Sequence, residues 1–176
     1  MTQDILDKFR MGYVILYKND GSLFGNAIVK KQLLAGFSPH DAQVIHTEIS
    51  GGEIHSVNIS PPLSKLVDIT KVHKGRYVYL LRYKSGEYER ALRYKVAYFS
   101  ATLCNKGYDF PGIFSFLFKW IKHSSRLWFC SEGTLWSLQM GCKENVLGID
   151  PDKCMPAHFL NPNEFERVWE GTITNG

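Results

Sequence analysis

The glycine pair Gly51-Gly52 constrains the fold more than any other feature of the chain. It separates two runs of strand character, residues 44–50 and 53–60. Tight hairpin turns need positive φ angles, which glycine adopts without steric penalty. The two runs therefore pair as antiparallel strands, and Pro61-Pro62 ends the second. With the other elements short and mixed, this hairpin predicts an α+β fold rather than a doubly wound parallel sheet.

Residues 13–17 form a further strand, closed by the turn Asn19-Asp20-Gly21. Ser22 can then cap a helix in which Leu23, Phe24, Ala27, Ile28 and Leu34 recur at helical spacing, Lys30, Lys31 and Gln32 are polar, and Gly36 is the stop. Residues 76–83 make a strand whose loose alternation implies burial on both faces and a central place in the sheet. A helix follows from Ser85-Gly86-Glu87, with Ala91, Leu92, Val96, Phe99 and Leu103 as its buried stripe, and stops at Asn105-Lys106-Gly107. Asp109 and Pro111 open an aromatic helix running to Ile121, and a short terminal helix is expected after Asn161-Pro162. Residues 142–160 form a long loop, either a lid or a cover for the core.

A chain of 176 residues with 44% hydrophobic content suits one globular domain over residues 1–176. Its longest apolar run, 113–121, is about half of what a bilayer requires. The acidic start Met1-Thr2-Gln3-Asp4 lacks the apolar core of a signal peptide, so the expectation is a soluble, cytoplasmic protein with reduced thiols. The net charge of +4 is mild, and the basic residues between Lys71 and Lys95 alternate with core-type residues. They read as a solvated face, not a nucleic-acid footprint. There is no glycine-rich phosphate loop, and Cys104, Cys142 and Cys154 lack zinc-ligand spacing, so no cofactor or metal is expected.

Cys130 is the cysteine with a chemical context. It lies where the aromatic pair Trp128-Phe129 gives way to an amphipathic stretch reaching Gly141, which places it at a helix N-terminus. Unpaired N–H groups and the helix dipole there favour the thiolate, the nucleophilic form. The best candidate base is His46, in the first strand of the hairpin. Glu48, two residues on, shares its face and is either a ligand-facing carboxylate or an exposed charge. Glu132 in the first helical turn reads as a structural or substrate-orienting residue, and the Cys130 N–H is the first candidate oxyanion donor. His40, His73, His123 and His158 sit in polar or loop-like contexts and read as solvated side chains.

His46-Thr47-Glu48-Ile49, the glycine turn, a second strand ending in Pro61, Tyr108-Asp109-Phe110 before the aromatic helix, and Cys130-Ser131-Glu132 opening a helix together carry a resemblance. From Gly12 to Trp169 the chain resembles the circularly permuted NlpC-type papain-like cysteine hydrolases, the YiiX/YebB-like group, in which His precedes Cys. The resemblance implies a papain-like fold with a small antiparallel sheet packed against helices. It also implies Cys130 as nucleophile and His46 as base. The orienting residue should come from the strand 53–60, where Ser56 and Asn58 share one face and His55 and Val57 the other. Asn58 is favoured, because papain-like enzymes tolerate an amide in this role and because of its interval to Pro61. His55 is the alternative if the register slips by one.

The expected activity is that of a peptidase- or amidase-like cysteine hydrolase, or an acyltransferase, attacking an amide or ester carbonyl through an acyl-enzyme. The resemblance implies peptide-like substrates such as those of cell walls, or acyl lipids, with possible peripheral contact with a membrane or cell wall. The aromatic helix, through Phe114, Phe116, Phe118 and Trp120, could line an apolar pocket or belong to the core. The alternative is a non-catalytic binding or structural module on the same scaffold.

Overall fold

The computed structural model describes residues 3–84, 90–108 and 128–174. It is an α+β structure built on one six-stranded, wholly antiparallel sheet. The strands are β1 (Val14–Lys18), β2 (Val44–Gly52), β3 (His55–Asn58), β4 (Lys65–Asp68), β5 (Tyr77–Tyr83) and β6 (Phe165–Thr172), in spatial order β4-β3-β2-β1-β5-β6. The helices are α1 (Gln3–Leu6), α2 (Leu23–Leu34), α3 (Ile69–Val72), α4 (Arg90–Ala101) and α5 (Cys130–Cys142). Among the described residues no helix is long and apolar enough to cross a membrane.

The middle of the sheet is covered on both sides. Val14 and Leu16 of β1 with Tyr79, Leu81 and Tyr83 of β5 pack against Val96 of α4 and Leu135 and Leu138 of α5. Ile15 and Tyr17 with Val78 and Leu80 face Phe9, Tyr13 and Ile69 on the other side. This is the two-sided burial that the loose alternation of residues 76–83 predicts.

The glycine hairpin forms, with its turn shifted two residues on. Both glycines belong to β2, Gly52 pairs with His55 across an irregularity, and Gly52 and Glu53 take the positive φ angles of 100° and 51°. The terminal helix expected after Asn161-Pro162 is instead strand β6. Asn161 closes a single turn, accepting from Asn163 N–H, and the chain then pairs from Phe165 to Thr172 with β5, whose free edge offers a full row of backbone partners.

In α2, Ser22 caps as expected, accepting from Gly25 N–H at 3.0 Å, but the apolar stripe faces the core only through Ile28, which packs against Val29, Ala42 and Ile45. Leu23 and Leu34 are 92% and 77% exposed, whereas Gly25, Val29 and Gln32 are buried. The Gln32 amide explains the rotation of the helix. It donates to the Ala42 and Val44 carbonyls at 2.9 and 2.8 Å and accepts from Ala157 N–H at 2.8 Å. The buried residues of α4 are Val96, Ala97 and Ser100; Ala91 lies on the surface, and Leu92 and Phe99 are half-buried. The helix start at Ser85-Gly86-Glu87 and the aromatic helix from Asp109 lie outside the described residues.

Residues 142–160 cover the core. They run through three short 3-10 turns and bury Val146, Cys154, Ala157 and Phe159 in the main cluster.

Helices α4 and α5 touch through Gly141, where a Cβ would lie 2.4 Å from Val96 Cγ2 and 2.7 and 2.8 Å from its backbone N and Cα. Backbone cannot give way as a side-chain tip can, so the helices would have to part. Gly141→Ala is expected to destabilise the fold by about 1–3 kcal/mol despite the better helix propensity of alanine. A urea midpoint equal to that of the wild type would contradict this packing.

Candidate active site

Strand β2 supplies the first two groups. Its His46 and Glu48 stand two residues apart and so project from the same face. Cross-strand pairing then brings Tyr17 of β1 opposite His46 and Asn58 of β3 opposite Glu48. Because the β2–β3 pairing begins at Glu48, the stretch of β2 before it has an open edge, and there the N-terminus of α5 meets the strand. Thr47 Oγ1 and Thr134 Oγ1, 3.0 Å apart and buried, join β2 to α5 one residue from His46 and one turn from Cys130.

Glu48 is fully buried and is the hub of the cluster. Its Oε1 accepts from His46 Nε2 at 3.0 Å and from His73 Nε2 at 2.7 Å, and its Oε2 accepts from Tyr17 OH at 2.8 Å and from Ser56 Oγ. Burial raises the pKa of its carboxyl group, but the bonds from His46 and His73 prevail and hold it well below the usual carboxylate range. Burial and the adjacent Glu48 push Tyr17 well above the ordinary phenol value, so it stays a hydrogen donor.

Nε2 of His46 is held by Glu48, and the His46 ring lies close enough to the Cys130 sulfur for each to shift the titration of the other. Burial disfavours charge on His46, yet the Cys130 thiolate and the Glu48 carboxylate outweigh it and raise the ring to about 10. Burial likewise pushes the Cys130 thiol up, but the His46 imidazolium, with backbone hydrogen bonds at Thr47 and Ser131, brings it below the ordinary thiol value. The other cysteines move the opposite way: burial raises Cys104 and Cys154, and burial with nearby Glu144 takes Cys142 to about 12.

The residues read from the sequence divide as follows. Cys130 and His46 are brought together. Asn58, expected to orient His46, sits 3.3 Å from His73 Nε2 instead, because it faces Glu48 across the sheet and Glu48 stands between it and His46. Ser56 reaches Glu48, and His55 is exposed at the start of β3. Glu48, expected to face a ligand or solvent, is buried in the position anticipated for Asn58. His73, expected to be solvated, is buried 4.4 Å, centroid to centroid, from the Tyr17 ring. Glu132 has a structural role, its Oε2 accepting from Phe129 N–H at 3.3 Å across the first turn of α5. His123 lies outside the described residues. The spacing of His46 and Glu48 was a usable signal; nothing in the sequence points to His73, which arrives from the end of α3.

Two histidines and a glutamate match a metal site in composition but not in geometry. Both Nε2 atoms address the same Oε1 at hydrogen-bond distance, and among the described residues no group of side chains is placed to hold a metal ion.

No protein-family model matches the chain, and a comparison with curated proteins finds no match.

Proposed function

We propose that the chain is a cysteine hydrolase or acyltransferase of permuted papain-like architecture, acting on an amide or ester carbonyl through an acyl-enzyme. One observation carries this reading: His46 is bonded to the buried Glu48 carboxylate and lies within electrostatic reach of Cys130 at the start of α5. A nucleophile, a base and an orienting acceptor in series are the arrangement that nucleophilic catalysis requires. Glu48 takes the orienting role, and His73, Ser56 and Tyr17 keep it ionised and in place.

In this scheme the Cys130 thiolate attacks the carbonyl carbon, and the N–H of Cys130 at the start of α5 faces the developing oxyanion. His46 then gives its proton to the leaving group. Water or another acceptor attacks the thioester, with His46 taking its proton, and the thiolate returns. The order of the residues along the chain, His46 on β2 before Cys130 on α5, favours the permuted arrangement.

The test needs no substrate. Iodoacetamide alkylation, followed by peptide mass spectrometry from pH 5 to 9, is expected to label Cys130 at pH 6 at least about tenfold faster than Cys104, Cys142 or Cys154. His46→Ala is expected to remove that advantage. Equal, slow labelling of all the cysteines would instead favour a non-catalytic binding module.

A further inference from the structure

Cys130 lies in the wall of an apolar cleft that is partly open to solvent. Phe24, Ala27 and Ile28 of α2 line one side, with Ile45 of β2, and Met155 and Pro156 close the other. These residues belong to the apolar stripe of α2, most of which the buried Gln32 turns away from the core. Two of the polar side chains at the cleft are engaged elsewhere, Gln32 with the Ala42, Val44 and Ala157 backbone and Ser131 Oγ donating to the Cys154 carbonyl at 2.6 Å; Lys31 and Tyr108 also line it. A peptide laid here would bury amide groups without these partners, which is costly, whereas a hydrocarbon would bury apolar surface on both walls.

The direction of the cleft follows from His46. A leaving group must depart beside the proton donor, and His46 does not line the cleft. The cleft therefore extends from the sulfur on the side of the group that stays bound to it.

We propose that this cleft is the acyl subsite, that it takes a linear aliphatic chain attached to the carbonyl that Cys130 attacks, and that Ala27, Ile28 and Met155 set the chain length accepted. The proposal rests on the hydrolase reading. In the reaction the Sγ–C bond forms as the bond from the carbonyl carbon to the leaving oxygen breaks, and that oxygen departs with the electron pair. Water then displaces the thiolate, its proton passing to His46, and releases the fatty acid.

The experiment has two arms, both below the micelle concentrations of the reagents. In the first, kcat/KM is measured for p-nitrophenyl acetate, butyrate, octanoate and decanoate. It is expected to rise roughly two- to fourfold per added methylene until the cleft is full. Ala27→Trp and Met155→Trp, which enter from opposite walls, should lower the decanoate-to-acetate ratio at least tenfold, with melting curves reporting that each variant is folded. In the second arm, Cys130→Ala is titrated with 11-(dansylamino)undecanoic acid, whose fluorescence should rise on binding, and a tryptophan added at position 27 should weaken that binding at least tenfold. Chain-length-independent turnover, or no binding by Cys130→Ala, overturns the subsite. Binding that the tryptophan expels, with no ester turned over, retains the apolar site and removes the hydrolase reading.

Discussion

Glu48→Gln is expected to reduce ester turnover by about 10²- to 10⁴-fold and to abolish the rapid labelling of Cys130 at pH 6. The wild-type carboxylate accepts from four donors: His46, His73, Tyr17 and Ser56. A glutamine of the same shape offers one acceptor oxygen, and its NH₂ group meets donors on the other side. His46 then loses the negative charge that helps keep it protonated, and the Cys130 thiolate loses its counterion. The same change leaves buried donors badly matched, at a cost of about 3 kcal/mol of stability. Loss of fold and loss of chemistry are separated by assaying well below the melting temperature of the variant. A folded Glu48→Gln protein that keeps wild-type Cys130 reactivity would reduce Glu48 to a structural residue.

The parts of this site that were legible in the sequence are those fixed by local geometry. Cys130 at the start of a helix and the His46-x-Glu48 spacing on a strand follow from short-range periodicity, as do the glycine hairpin and the Ser22 cap. The parts that were not legible depend on which surfaces meet. Whether Glu48 or Asn58 orients His46 is decided by where β3 begins to pair with β2, and the arrival of His73 by the path of the chain after β4. Gln32 shows the limit most clearly. In the sequence it is a polar residue beside two lysines, yet its amide ties three backbone groups from two distant segments. Burying it rolls α2 so that an apolar stripe resembling a core face becomes a cleft wall and exposed surface. In β6, pairing with a free sheet edge outweighed a good helix-start signal, a case of tertiary context overriding local preference.

Cys130→Ala is expected to abolish turnover, with a loss of at least about 10⁴-fold, and to change how stability depends on pH. The unfolded chain carries a histidine of pKa about 6.5 and a thiol of about 8.5. In the folded protein His46 is raised to about 10 and Cys130 is lowered. From the lowered thiol pKa up to about 8.5, the folded cysteine is ionised while the unfolded one keeps its proton, so this group adds stability as pH rises. From about 6.5 the unfolded histidine loses its proton while His46 keeps its own, which works in the opposite direction. Above about 8.5 the unfolded pair binds none while His46 still holds one, so stability falls until about pH 10, by roughly 2 kcal/mol over this range. Without the thiolate, His46 has only Glu48 to hold its proton, and its contribution declines from about 6.5 upward. Melting temperatures of wild type and Cys130→Ala from pH 5 to 10.5 test this directly, because titrating groups remote from the pair cancel in their difference. That difference should shrink as pH rises from about 8.5 to 10 and as pH falls through the lowered thiol pKa. A difference constant across the range would mean that Cys130 and His46 do not form an ion pair, and the charge separation on which the proposed attack depends would be gone.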